Sequence, residues 1–115
     1  MAIITRPSSI TRGNKAQFTL SKSELAANSV VSNDGYFSSS SVWSTVSLHY
    51  KSNSRDQFEE VLFNAQDANP VGDFFVSSYS AGDFLIEYIT ITDFDGGSLI
   101  VQRANLVTND FDITF

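Results

Sequence analysis

The chain contains no cysteine, which excludes disulfides, Cys–zinc sites, thiol nucleophiles and iron–sulfur clusters. It has a single histidine, His49, and a zinc site built on it would need at least three carboxylates, an unusual ligand set. Basic residues are scarce: 7 Lys and Arg stand against 13 Asp and Glu, for a formal net charge of -6 at pH 7. Nucleic acids are held by concentrated positive charge, so this balance argues against them as the main partner and disfavours anionic membranes. No stretch approaches the roughly 18 consecutive apolar residues of a transmembrane helix, so no membrane insertion is expected. The opening, Met1 to Pro7, has no basic segment followed by a long apolar run, so it does not read as a Sec signal peptide. A cytoplasmic product, export by another route, a module of a larger chain, or a cell-surface or virion component all fit that start.

Aromatic residues are plentiful: ten Phe, four Tyr and one Trp in 115 residues. A chain of this length forms one domain, 1–115, with enough apolar content to bury a core without staples.

The pattern that organises it is Ala81 to Val101, AGDFLIEYITITDFDGGSLIV. Phe84, Ile86 and Tyr88 alternate with Leu85 and Glu87, and Ile89 and Ile91 alternate with Thr90 and Thr92. Period-two alternation of β-branched and aromatic residues marks a half-buried strand. The parity slips between Tyr88 and Ile89, as a β-bulge or a strand buried on both faces would produce. Asp93-Phe94-Asp95-Gly96-Gly97 then supplies residues able to adopt the positive φ of primed hairpin turns, and Leu99 to Val101 return. Ala16, Phe18 and Leu20 mark a further strand. Val42, Val46, Leu48 and Tyr50 mark another, with Trp43, Thr45, Ser47 and His49 on its opposite parity. Phe58 and Leu62 share one parity of the next strand, Val61 and Phe63 the other. Ile3-Ile4, Phe74 to Val76 and Phe111 to Phe115 complete the set, and Ser23 to Ala27 is helix-friendly for a single turn. Seven to nine short strands without a long amphipathic helix predict an all-β fold, an antiparallel two-sheet β-sandwich.

Gly82, Phe84, Ile86, Ile89, Ile91, Asp93 and Gly96 follow a pattern that resembles the last third of Ig-like β-sandwich modules from bacterial and phage surface, adhesin or virion proteins. Pro7, Gly13, Phe18 and Leu20 resemble the opening of such modules, and Asn33-Asp34-Gly35 followed by Val42 to Tyr50 resembles their middle strand. The resemblance implies an Ig-like fold and a structural or adhesive role without catalysis. Some such modules bind calcium at the Asp-containing turn; Asp93 falls on that position, while Asp95-Gly96-Gly97 stands where the family usually has Gly-Asn.

Candidate chemistry is sparse. Asp93 and Asp95 sit in an Asp-x-Asp-Gly start like that of many calcium loops, and Ca²⁺ needs six to eight oxygens. Asp34, Asp67, Asp110 or Asp112 could add carboxylates. No glutamate closes an EF-hand-length loop and both flanks read as strand, so an EF-hand is rejected. The competing reading is a turn in which Asp and Gly supply only geometry. Trp43, with Tyr36 and Phe37 in the preceding loop, would stack on a sugar or a partner protein if its face is exposed, and Tyr79 is a second loop aromatic. Otherwise Trp43 fills the core and Val42 faces out. Adjacent Glu59 and Glu60 point to opposite faces of a strand and cannot flank one glycosidic bond, and Glu87 reads as a solvated strand residue. No Gly-x-Ser-x-Gly elbow accompanies His49, which reads as a sheet-face residue. The apolar end strands read as internal edges, or as strands able to extend a neighbour's sheet. Together these features point to a non-catalytic structural or interaction module of a surface or virion-type assembly, with protein partners or self-assembly and a calcium option. The alternative is a carbohydrate-binding sandwich using exposed aromatics.

Overall fold

Alternation in the sequence passes directly into strands over most of the chain. The computed structural model describes residues 2–115. Among them, β2 (Lys15–Leu20) buries Ala16, Phe18 and Leu20 while Lys15 and Gln17 face out. It is flanked by β1 (Ile4–Thr5) and β5 (Val71–Phe75) in a three-stranded antiparallel sheet. The second sheet has five strands: β4 (Phe58–Asn64), β3 (Trp43–Ser52), β6 (Asp83–Asp93) and β7 (Ser98–Gln102) in that order, with β8 (Ile113–Thr114) also on β6. The two sheets pack together as an all-β sandwich. Phe74 joins them: its ring stacks on Phe18 of its own sheet at 5.6 Å and meets Tyr50 and Phe84 of the other edge-on at 5.8 and 5.2 Å. Edge-to-face contacts of this kind suit the ring quadrupole.

The helix-friendly stretch forms one short helix, α1 (Lys22–Ala26), capped by the Ser21 hydroxyl. A second single turn, α2 (Ser29–Ser32), follows; the Asn28 side chain caps it and Val31 is buried. No helix among the described residues is long and apolar enough to cross a membrane.

Two bulges separate the structure from simple alternation. Trp43 pairs with Asp93 but Thr45 pairs with Thr92, so Ser44 is an extra residue in β3. His49 pairs with Tyr88 but Tyr50 pairs with Ile86, so Glu87 is an extra residue in β6. Each bulge switches which parity faces inward. Phe84 and Ile86 are buried before the second bulge, Ile89 and Ile91 after it. The expected slip is therefore real but lies at Glu87 rather than between Tyr88 and Ile89, and it turns Tyr88 to the outer face. At the first bulge the switch carries Trp43 inward, to 1% exposure.

β6 has two partners along one edge. Tyr88 to Thr92 pair with β7, and Asp83 and Phe84 pair with β8. Ile86 lies in the gap, where side chains replace the missing strand. The Ile86 N–H donates to Asp112 Oδ1 at 3.0 Å, and Arg103 Nη1 donates to the Ile86 carbonyl at 3.1 Å. Arg103 and Asp112 close the clamp with paired bonds of 2.8 and 3.0 Å. Arg6 donates to the Asp112 and Asn109 carbonyls, and the buried Tyr50 hydroxyl donates to the Phe111 carbonyl at 3.0 Å. The expected closing strand from Phe111 to Phe115 is thus only two residues of ladder, held mainly by side chains.

Candidate functional site

The Asp93 turn is a three-residue connection in which Gly96 alone takes a left-handed backbone, φ +87°. A two-residue type I′ turn at Asp95-Gly96 needs positive φ at Asp95 as well; Asp95 does not adopt it, and Asp93 bonds to Gly97, so the turn is of the longer kind. The Asp93 N–H donates to the Gly97 carbonyl at 2.9 Å. In return Asp93 Oδ1 accepts from the Asp95 and Gly97 N–H groups at 2.9 and 2.7 Å. Burial pushes the Asp93 carboxyl up, but the N–H groups of Gly97 and Asp95 and the nearby Tyr36 hydroxyl outweigh it and hold its pKa below the usual aspartate value. The same carboxylate raises the Tyr36 phenol. One Asp93 oxygen is thus taken up by the turn, leaving Oδ2 and the exposed Asp95 carboxylate for a cation. Of the other carboxylates considered, Asp112 is in the Arg103 clamp, and Asp34 Oδ1 accepts from the Tyr36 and Phe37 N–H groups at 2.9 and 2.7 Å. No cluster of three or more His, Asp or Glu residues suited to a metal occurs among the described residues.

The aromatic candidates separate. The exposed-platform reading of Trp43 is corrected: its ring is buried and Nε1 donates to the Phe37 carbonyl at 2.9 Å. The extra residue Ser44 is the physical reason, since it reverses the parity on which that reading depended. Tyr36 is 47% exposed and meets Phe37 edge-on at 5.0 Å, beside the Asp93 turn. Tyr79 is 88% exposed, but its carbonyl accepts from Arg55 in the β3–β4 hairpin, at the opposite end of β3. A ten-residue strand such as β3 spans about 33 Å, so Tyr36 and Tyr79 belong to different surfaces.

The outer face of the five-stranded sheet gathers groups that sequence reasoning left apart. Cross-strand pairing lines up Glu60, His49, Tyr88 and Gln102 in one row and Leu62, Ser47, Thr90 and Ile100 in the next. Phe58 and Leu62 on β4 are 62% and 55% exposed, and Ile100 is exposed across the same face on β7. The His49 ring stacks on Tyr88 at 4.3 Å. These rings, Phe58, Glu60 and Glu87 line a recess of about 330 Å³. On the other side of Glu87 lies a cleft of about 490 Å³ lined by Lys51, Arg55 and Arg103 and also by Asp56 and Glu87. Three of the chain's seven basic residues thus meet in one cleft. The Asp112 carboxylate beside Arg103 raises that guanidinium's pKa further.

His49 lies 3.7 Å from Glu60 and 3.3 Å from the Thr90 hydroxyl, both through Nε2. A catalytic relay needs the acid on one ring nitrogen and the nucleophile on the other. Here both approach the same nitrogen. Comparison of the chain with known family models, curated proteins and solved structures found no match. The site is therefore read from its own geometry. The residues missed at first were Phe58, Leu62, Tyr88 and the Lys51–Arg55 pair. Phe58 and Leu62 carried a usable signal, because they alternate with Val61 and Phe63 and only one of those sets can face the core. Tyr88 carried none until the bulge was placed.

Proposed function

We propose that this chain is a non-catalytic interaction module of a surface or virion-type assembly, binding a protein partner through the outer face of its five-stranded sheet. The observation that carries the reading is the exposure of Phe58 and Leu62 on β4 and of Ile100 on β7, on one sheet face, with an acidic recess beside Phe58 and a cleft of mixed charge next to it. Large exposed apolar residues on one sheet face, with charged side chains among them, suit a protein contact. The resemblance to Ig-like surface modules supports the same role, as does the arrangement around His49. Sedimentation velocity across a concentration series, run with a screen of ester and glycoside substrates, tests it. Concentration-dependent assembly without turnover is expected; turnover abolished by His49→Ala overturns it.

A second reading, glycan binding, draws on one observation. Tyr36 and Phe94 are exposed on the loops flanking Asp93, and aromatic faces stack on sugar rings. Trp43 reports on that end, because its indole bonds to the carbonyl of Phe37, which packs against Tyr36. Quenching of Trp43 fluorescence by a glycan, lost in Tyr36→Ala, would establish this reading; silence across a broad panel would end it.

A further inference from the structure

We propose that Asp95-Gly96 is a modification site: the chain rearranges there unaided, through a cyclic imide, to a β-linked isoaspartyl turn, while its second Asp-Gly pair is protected. This goes beyond the interaction-module reading and does not depend on it. The sequence holds two Asp-Gly pairs, Asp34-Gly35 and Asp95-Gly96, and no Asn-Gly pair. In such a pair the glycine nitrogen can attack the carboxyl carbon of the aspartate, because glycine puts no Cβ in the way. The reaction needs a side chain free to swing onto the main chain. It also needs a carboxyl that takes up a proton, since an ionised carboxylate is a poor electrophile.

The two pairs differ in how their carboxylates are held. Asp34 Oδ1 accepts from the Tyr36 N–H at 2.9 Å and from the Phe37 N–H at 2.7 Å. Those bonds fix the side chain on the residues ahead of it. They also hold its pKa below the usual aspartate value, so it resists protonation. Reaction at Asp34 would cost both bonds, and hydrogen bonds to a charged group are the stronger kind. Asp95 has no such restraint. It is exposed, and its carboxylate makes no hydrogen bond or ion pair with any described residue. Nothing stands within 4 Å of the place a Gly96 Cβ would take. The turn is held instead by Asp93, whose Oδ1 accepts from the Asp95 and Gly97 N–H groups. It keeps its shape without the Asp95 side chain, which leaves that side chain available.

The chemistry balances with water alone. The Gly96 nitrogen bonds to Asp95 Cγ, and its proton leaves with the displaced hydroxyl as water. Water then opens the ring at the Asp95 main-chain carbonyl carbon and breaks that carbon's bond to Gly96. The chain now runs through Cγ, longer by one methylene, with a free carboxylate at the tip and no change in mass. The lengthened turn lies beside the Tyr36 hydroxyl.

The test incubates the folded chain for days at mildly acidic pH. Isoaspartate is detected by methyl transfer with an isoaspartyl methyltransferase and located by fragmentation of proteolytic peptides. A parallel incubation in concentrated guanidinium chloride removes the fold. In denaturant the two pairs should react at similar rates. In the folded chain Asp95 should react about tenfold faster than Asp34 or more, as the loss of two charge-assisted bonds at Asp34 implies. Gly96→Ala should slow Asp95 severalfold, and a thermal melt checks that the variant is folded. Should it fail to fold, the ratio of the two sites in the wild type decides alone. Equal rates at the two sites in the folded chain, or a faster Asp34, overturn the assignment. An Asp95 that reacts only in denaturant, or in neither condition, overturns the proposal outright.

Discussion

The Asp93 turn and the outer face around Glu87 lie on the same long strand and use their polar groups in opposite ways. At the turn, Asp93 spends its carboxylate on its own loop, and the adjoining Trp43 is buried with its N–H satisfied. At Glu87 the bulge turns Tyr88 outward onto His49 and leaves carboxylates and apolar side chains facing solvent. The turn was conspicuous in the sequence because turn geometry demands Asp and Gly. The face was inconspicuous because nothing in its residue types marks it. Conspicuous residues here build the fold, and which side chains reach the outer face is set by a register shift.

The largest expected effect separates the two regions directly. Trp43→Ala removes a fully buried ring beneath the Asp93 turn, and about 3–5 kcal/mol of stability should be lost. Phe58→Ser on the outer face should change stability by no more than about 0.5 kcal/mol. Urea unfolding midpoints measure both. A comparable loss from Phe58→Ser would mean that the outer face is part of the core's support rather than a free surface.

The clamp at Ile86 comes next. Asp112→Ala strands a buried N–H and the Arg103 guanidinium, an expected loss of about 1–3 kcal/mol. Burial pushes the Asp112 carboxyl up, but Arg103, the Ile86 N–H and Arg6 outweigh it and hold its pKa below the ordinary 3.8. A carboxyl depressed in the folded state contributes stability that is complete above its unfolded pKa and lost as pH falls through the folded value. The stability gap between the wild type and Asp112→Asn should therefore be constant above about pH 5 and shrink in acid below about pH 4. A gap that widens in acid would show that Asp112 acts through something other than its charge.

How much of this was legible in the chain follows from the same two bulges. Strands β2, β4 and the halves of β6 could be read because one side chain in two is apolar. Trp43 could not be placed, since a single extra residue at Ser44 reverses its side of the sheet and Ser carries no mark of a bulge. The clamp was invisible for another reason: Arg103 and Asp112 meet across a gap left by two strands ending short, a matter of tertiary placement. The turn was legible in kind but not in type, because Asp95-Gly96 fits both a two-residue and a three-residue connection.

A smaller effect tests the turn itself. Gly96 has open space where a Cβ would stand, so Gly96→Ala introduces backbone strain without a clash. About 1–2 kcal/mol should be lost, and Gly96→Asn should recover part of it, because Asn tolerates the left-handed region. Thermal melts of the two variants decide this. Equal losses would point to an effect of side-chain bulk instead.

The smallest expected effect concerns calcium. A cation at the turn would have to be held by Asp93 Oδ2, Asp95 and loop carbonyls, since Oδ1 is occupied by two N–H groups. Ca²⁺ asks for six to eight oxygens, and a site missing most of its carboxylates binds weakly. Melts in EDTA and in millimolar Ca²⁺, with Mg²⁺ as control, should coincide. A ligand at a hundred times its dissociation constant adds about 2.7 kcal/mol, a rise of about 10 °C for a domain of this size. A rise of that order, selective for Ca²⁺ and absent in Asp93→Ala, would mean that the turn reorganises around the ion. Asp93 would then have to release the Asp95 and Gly97 N–H groups, and the contrast between a self-satisfied turn and an open face would no longer hold.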